Sequence, residues 1–331
     1  MKDKSVNIAV LGLGYMGQSH VRVLSSLAHT NLIAVCDIDD QKTRKIAKQY
    51  KLRSYNNFEK LLSNEKLDAV SVCLPTALHL SASCVALAKK IAVFVEKPIC
   101  STVSEAKKLI SIAKAENKPI MVGHIERFNP VVNEVKQRIK SGELGEVYQI
   151  HTQRVSPPTD LGVDVPVSVD LATHDIDIML YLSGQEPERI YAESVSKLLK
   201  NNDSTIAMIR FENGVIGLIE ASWLYPIKKR TLSVLGEKGL YVADYITQEL
   251  FFYKRNESLF KSNNYLNYAA VKADVVKIAF DWREPLQIEL ESFVDALRFG
   301  RKMPVSGVEG LKALEIAHIF EKSSAQNRII K

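Results

Sequence analysis

The chain has 331 residues, 46% hydrophobic and 25% charged, an ordinary globular composition without the low-complexity tracts or short repeats of disordered tails and solenoids. Its length predicts two domains, each able to bury a core without disulfides or structural metals. The 44 Lys+Arg exceed the 38 Asp+Glu by six, but they scatter as in Lys42, Arg44, Lys45 and Lys48, with one tight cluster at Lys228–Arg230. That spread does not suit a nucleic-acid partner and fits an enzyme with anionic ligands.

Val6–Leu11, Leu32–Asp37, Ala69–Leu74, Ala92–Val95 and Ile120–Val122 are short, apolar and β-branched, and predict buried strands. Helical patterns lie between them near Met16–Leu27, Gln41–Tyr50, His79–Lys89 and Ser104–Asn117. In the last, Ser101 or Ser104 is expected to cap the first turn, with Ile110 and Ile112 facing inward. Strand–helix alternation predicts a doubly wound parallel sheet, an α/β layout suited to nucleotides.

From Tyr148 onward, strands follow one another: Tyr148–Val155, Ile190–Val195, Thr205–Phe211, Val215–Trp223, Thr231–Leu235 and Leu240–Asp244. Glu212-Asn213-Gly214 is a hairpin signal, because Asn-Gly tolerates the positive φ angles of a tight turn. The strands flanking it are apolar on both faces. Helices are expected on one face and a second subunit on the other, giving a homodimer or homotetramer, unless one chain covers both. Helices at Arg127–Lys140, Asp170–Leu182, Leu286–Phe299 and Glu309–Ser324 complete this half. The expected division is residues 1–122, a nucleotide-binding domain, and 123–331, an α+β domain with a large, mostly antiparallel open sheet.

Gly12-Leu13-Gly14-Tyr15-Met16-Gly17 reads G-x-G-x-x-G and follows a strand into a helix, the context that marks a Rossmann dinucleotide site. Gly12 permits the turn, Gly14 lets backbone approach the pyrophosphate, and Gly17 lets helix pack on strand. Asp37 lies twenty positions past Gly17, where a carboxylate accepts the adenosine ribose hydroxyls and repels a 2′-phosphate. NAD is therefore expected over NADP. As an alternative, Asp37 is a turn residue capping the next helix.

Glu96-Lys97-Pro98 follows a predicted strand, and open α/β sheets bind ligands at the carboxyl ends of their strands. A lysine there can polarise an oxygen that becomes a carbonyl; a surface Lys-Pro turn is the plainer reading. Asp170 and His174, four apart, share a helix face with Asp177. A carboxylate-held histidine suits proton removal from a hydroxyl, although the residues alone favour a helix cap and a partly exposed histidine.

Together with Pro75-Thr76-Ala77-Leu78-His79, these motifs resemble, in order and separation across essentially the whole chain, the Gfo/Idh/MocA family of dehydrogenases. The resemblance implies that Lys97 is catalytic, that Glu96 contacts the nicotinamide ribose, and that a cis bond precedes Pro98. It makes His174 the acid/base residue and Asp170 its substrate-side carboxylate. It places Leu74, Pro75, Thr76 and His79 beside the cofactor. The sequence departs from the family at Ala172, where many members have glycine, and at Gly162-Val163-Asp164, which stands in place of a glycine run.

His124, Arg127, Phe128 and Asn129 occupy the family's substrate-side segment. With Trp282-Arg283-Glu284-Pro285-Leu286, that segment resembles the branch acting on UDP-N-acetylglucosamine and related nucleotide-sugars, whose members oxidise the C3 hydroxyl to a ketone. Arg127, Arg154, Lys228, Lys229 and Arg283 are candidates to meet a diphosphate, though each alone reads as a surface cation. The rival expectations are a dehydrogenase of free polyols and a catalytically silent NAD sensor.

Cys36, Cys73, Cys84 and Cys100 show no metal or redox spacing, and the histidines are dispersed, so no metal is expected. The charged start Met1–Lys4 leads into an apolar run broken at Gly12 and Gly14, unlike a secretory leader. No stretch reaches the roughly 18 apolar residues of a membrane span. A soluble, cytoplasmic protein is expected.

Overall fold

The computed structural model describes residues 5–158, 165–255 and 274–331. The departure at Gly162-Val163-Asp164 lies outside the described residues. The chain forms two compact units: residues up to Ile125 with Glu284–Glu315, and Glu126–Arg283 with Ile316–Lys331.

The first unit is built on six parallel strands, β1 (Val6–Leu11), β2 (Thr30–Cys36), β3 (Arg53–Tyr55), β4 (Ala69–Val72), β5 (Ala92–Glu96) and β6 (Ile120–Gly123). Their order is β3-β2-β1-β4-β5-β6, the doubly wound arrangement in which the order of strand addition reverses at the boundary between β1 and β4. Ile8 to Leu11 and Val93 to Val95 are fully buried, which is why these strands read as unbroken apolar runs. The connecting helices are α1 (Tyr15–Leu24), α2 (Asp40–Tyr50), α3 (Phe58–Asn64), α4 (His79–Ala88) and α5 (Val103–Ala115). The sequence showed no signal for β3 or α3, since β3 is three partly exposed, mostly polar residues.

Side-chain caps start three of these helices, each worth about 1 kcal/mol. Asp39 accepts from Lys42 N in α2, and Asn57 from Lys60 N in α3. In α5 the cap is Thr102, paired with Glu105 in a capping box, rather than Ser101 or Ser104. The buried stripe of α5 is Ala106, Leu109 and Ala113, with Ile110 and Ile112 only half-buried, another departure from expectation.

Helix α9 (Pro285–Phe299), late in the sequence, returns to the first unit. Its Phe293 meets Phe94 of β5 edge-on, with ring centroids 5.5 Å apart. The expected division at 122/123 does not include this return, because contact with Phe94 leaves no trace in the local pattern of α9.

The second unit carries β7 (Val147–Val155), β8 (Pro187–Val195), β9 (Ser204–Phe211), β10 (Ile216–Ser222), β11 (Lys229–Gly236), β12 (Gly239–Asp244), β13 (Glu249–Lys254) and β14 (Asp274–Ile278). They form one sheet in the order β14-β13-β12-β11-β7-β10-β9-β8. Its described pairs are antiparallel except β7 with β10. The β9–β10 hairpin turns on Gly214, whose φ is +87°. Thr205, Ala207, Ile209 and Phe211 of β9 are buried, whereas Ile206 and Met208 on the other face are 60% and 46% exposed. Thus one apolar face is covered by the chain and the other is open to solvent in a single copy.

The helices of this unit are α6 (Pro130–Lys140), α7 (Val167–Asp170), α8 (Ala172–Ser183) and α10 (Gly307–Gln326), within which the unit division falls. The helix expected from Arg127 begins instead at Pro130, capped by Asn129, because proline fits the first helical position. The helix expected over Asp170–Leu182 is split: Asp170 ends α7, and α8 begins after Leu171. No helix among the described residues is long and apolar enough to cross a membrane.

Candidate active site

The carboxyl ends of the parallel strands gather the first-unit candidates on one edge. Gly12 N–H donates to Cys36 O of β2, and Cys73 N–H to Leu11 O of β1, tying three strand ends together. Gly12 has φ of +90°, and a Cβ there would lie 2.4 Å from Cys73 O. A Cβ on Gly17 would lie 1.9 Å from Gly12 O, so α1 can approach the turn only with glycine there. Around Gly14, by contrast, nothing stands within 4 Å of an added Cβ. The side of the turn on which a pyrophosphate would lie is open.

Helix α1 starts at this turn without a side-chain cap and without an acidic residue in its first turn, whereas α2, α3 and α5 each have one. An uncapped helix N-terminus presents N–H groups and a positive dipole end to an anion. The residues therefore fit a dinucleotide. Tyr15 is 81% exposed and Met16 half-buried at the mouth of the turn.

At the end of β2, Asp37 Oδ2 accepts the Leu13 N–H at 2.6 Å, and Oδ1 accepts Asp39 N–H at 2.9 Å. Lys42 Nζ stands 3.9 Å from the same carboxylate. Ile38, which sequence reasoning missed, is 93% exposed; its signal was an apolar residue directly after the acidic one. An apolar side chain there offers a surface for an adenine ring.

After β4, Pro75 leads into a 3-10 turn over Thr76–Leu78 and then α4. Thr76 stands half-exposed at the start of that turn, without acting as a side-chain cap. His79, expected beside the cofactor or else as a partly buried helix residue, is buried, with Nδ1 2.9 Å from Pro98 O and Nε2 2.8 Å from Leu74 O. A neutral imidazole carries one proton, so it donates to only one of these carbonyls at a time. Burial lowers the His79 pKa, with the Leu74 and Pro98 carbonyls pulling the other way. The ring braces the loop after β4 against the Lys97–Pro98 turn, whose peptide bond is cis.

Lys97 is half-buried at the end of β5. Its N–H donates to Glu96 Oε2 at 3.2 Å, while Glu96 Oε1 lies 3.0 Å from His20 Nε2. Glu96, expected at the nicotinamide ribose, is thus buried with both oxygens in internal contacts. Sequence reasoning missed His20, whose only sign was a polar residue on the buried side of α1. His124 is buried at the end of β6.

In the second unit, Asp170 and His174 remain half-buried at the α7–α8 junction. The neighbouring charged candidates turn inward. Asp177, expected on the histidine's face, is buried and takes Arg127 through two bonds of 2.7 Å each. Arg154 is 1% exposed; it reaches Asp175 through Nε at 2.9 Å and Glu126 through Nη1 at 2.9 Å. Burial works against the Arg154 charge, but Asp175 and Glu126 outweigh it and hold the guanidinium well above its ordinary range. Burial lifts the Asp175 carboxyl, with Arg154 opposing the shift.

The cross-strand neighbour of Arg154 is Arg230, 3.8 Å from the same Glu126. Phe128 is buried, and Asn129 caps α6 while donating to Tyr245 O at 3.2 Å. Arg127 and Arg154, expected to meet a diphosphate, thus belong to buried ion pairs that anchor the start of α8. Lys228 and Lys229 are exposed and Arg230 is half-buried. Among the described residues, no group of three His, Cys, Asp or Glu side chains could hold a metal ion.

A doubly wound sheet with this glycine turn and this acidic residue after β2 defines a dinucleotide-binding protein. The chain belongs to the Gfo/Idh/MocA oxidoreductase family: residues 6–124 match its NAD-binding Rossmann fold, and residues 136–331 its C-terminal alpha/beta domain. It is 25% identical to the UDP-N-acetylglucosamine 3-dehydrogenase of Acidithiobacillus ferrooxidans over 308 residues, covering 93% of this chain and 94% of that one. It is 26% identical to the myo-inositol 2-dehydrogenase of Thermotoga maritima over 341 residues, covering 98% of each. Among solved structures, the Acidithiobacillus enzyme superposes with a TM-score of 0.85 at 24% identity, covering 97% of this chain and 98% of that one. The scyllo-inositol dehydrogenase of Lactobacillus casei, with bound NAD(H) and scyllo-inositol, gives 0.82 at 18% identity, covering 99% of each chain.

Proposed function

We propose that the chain is an NAD-dependent dehydrogenase that oxidises a sugar CH–OH to a ketone, with C3 of a UDP-N-acetylhexosamine as the reacting carbon. The observation carrying this reading is Lys97, its backbone fixed by Glu96 on the same strand-end edge as the open glycine turn. The bound nicotinamide supplies the hydride acceptor. The open backbone at Gly14 and the α1 N-terminus hold the pyrophosphate over a turn shaped by Gly12 and Gly17, and Asp37 holds the adenosine ribose; the Asp37 charge favours NAD over NADP. His174 takes the hydroxyl proton, Lys97 stabilises the developing alkoxide, and Asp170 orients the substrate.

The nucleotide-sugar is supported by the relatedness to the UDP-N-acetylglucosamine enzyme, and Lys228, Lys229 and Arg230 are the basic groups offered to its diphosphate. A free polyol is the second reading, favoured by the equally extensive match to an inositol dehydrogenase and by the burial of Arg127 and Arg154. NADH absorbance over a panel of UDP-sugars and polyols separates the two, and turnover of polyols alone eliminates the nucleotide-sugar. Lys97→Met and His174→Ala should each lower turnover about 100-fold while sparing NADH binding; near-normal turnover in both refutes the assignment.

The open face around Ile206 and Met208 supports association of copies into a homodimer or homotetramer, which a monomeric mass in light scattering would contradict. All four cysteines are free thiols, which supports a cytoplasmic location; recovery of the chain in an extracytoplasmic fraction would oppose it.

A further inference from the structure

We infer that His20 is a positioning residue for Lys97, acting through the Glu96 carboxylate. The inference rests on the proposed role of Lys97 and adds a part of the machinery that the family motifs leave out.

His20 lies three residues past Gly17, on the face of α1 turned into the sheet, and is fully buried. Its ring spans two strands: Nδ1 is 2.8 Å from Ser71 Oγ on β4, and Nε2 is 3.0 Å from Glu96 Oε1 on β5. Phe94 packs edge-on against it, with centroids 5.2 Å apart, fixing the ring plane. An ionised carboxylate only accepts, so Nε2 carries the proton toward Glu96. The other carboxylate oxygen takes the Lys97 N–H at 3.2 Å. Space for it exists because residue 123 is glycine; a Cβ there would stand 3.1 Å from Glu96 Oε2.

The connection therefore runs from the helix that opens at the dinucleotide turn, through one imidazole and one carboxylate, to the backbone from which the Lys97 side chain departs. A buried carboxylate stripped of its partner is costly and takes up a proton or moves. Either event loosens the Lys97 N–H. A displacement of about 1 Å at a catalytic group can lower the rate about 100-fold. His20 touches no reacting atom in this scheme. It sets where Lys97 stands.

Two substitutions in the full-length chain separate the ring's two contacts. His20→Gln keeps an N–H donor near the position of Nε2, whereas His20→Asn reaches only toward Ser71. Three readouts are taken: NADH affinity by fluorescence, kcat and KM for NAD reduction with UDP-N-acetylglucosamine and with myo-inositol, and amide hydrogen exchange at Lys97. For His20→Asn, kcat should fall about 30- to 100-fold with KM and NADH affinity within about 2-fold, and Lys97 exchange should quicken about 10-fold or more. His20→Gln should recover most of both losses, and Glu96→Leu, which leaves no side-chain acceptor for the Lys97 N–H, should reproduce the faster exchange.

Unchanged kcat and exchange in His20→Asn overturn the inference. So does an equal loss in both His20 variants of melting temperature and NADH binding together, since that marks a purely structural histidine. If Lys97→Met retains turnover, the catalytic reading of Lys97 fails, and the positioning role falls with it. Loss of turnover in Lys97→Met alongside an indifferent His20→Asn sinks the positioning role alone.

Discussion

Asp37 Oδ2 and the Leu13 N–H meet at 2.6 Å, so the carboxylate after β2 is built into the glycine turn it follows. In the proposed reading, cofactor choice and turn geometry are coupled through this one side chain. Replacing Asp37 with Ser should weaken NADH binding about 10-fold or more, through loss of a charge-assisted bond to the turn and of the ribose acceptor. NADPH should gain relative to NADH, because the carboxylate that repels a 2′-phosphate is gone while Lys42, 3.7 Å from Asp39, stays beside the turn. Fluorescence titration with both cofactors checks this, and an unchanged NADH/NADPH ratio contradicts it.

The glycines of the turn should fail in different ways. Gly17→Ala forces a methyl to within 1.9 Å of Gly12 O and should destabilise the fold by about 1–3 kcal/mol or more. Gly14→Ala meets nothing within 4 Å, and its backbone at φ −66° suits any residue, so the melting temperature should stay near that of the parent. NADH binding should nevertheless fall in Gly14→Ala, because the methyl fills space that the pyrophosphate uses. Retained NADH affinity in Gly14→Ala would place the phosphates elsewhere.

The Arg127–Asp177 pair is buried and bidentate, so breaking it from one side should cost about 3–5 kcal/mol. Asp177→Leu should therefore be far less stable in urea denaturation than the parent. Adding Arg127→Met to it should recover much of the loss, since an apolar pair of similar volume strands no charge. A double variant less stable than either single one would show that the pair does more than neutralise itself.

Two buried histidines should give the stability–pH curve opposite slopes on either side of the ordinary histidine pKa of 6.5. Burial lowers the pKa of His20, but Cys73 and Glu96 more than offset this, so its folded value lies well above 6.5. Its contribution is full below 6.5 and is lost as pH rises through the folded value. The His79 pKa is lowered by burial, so its protonation penalty is absent above 6.5 and grows as pH falls toward its folded value. Melting temperatures between pH 5 and 9 should show His20→Gln flattening the alkaline decline and His79→Gln flattening the acidic one. Parallel curves for parent and variants would contradict both assignments.

What the sequence alone determined is what repeats locally or must be adjacent in the chain. Unbroken apolar, β-branched runs marked the buried parallel strands, and Gly12 to Gly17 marked a turn that tolerates no other residue at two positions. Asn213-Gly214 marked the hairpin, and the strand-to-helix context located Asp37 and Lys97 at strand ends. Short or exposed elements such as β3 and the edge strand β14 carry too few buried side chains to show a period.

The tertiary structure decided how charges are partnered, because a lone arginine or histidine in a sequence reads by default as a surface group. His20 finds partners 51 and 76 residues away, and Arg154 is desolvated only because Asp175 and Glu126 arrive from separate elements to neutralise it. Placing α9 in the first unit has the same origin: Phe293 reaches Phe94 across about 200 residues of chain, and loop-closure entropy rises too slowly with length to forbid so distant a return.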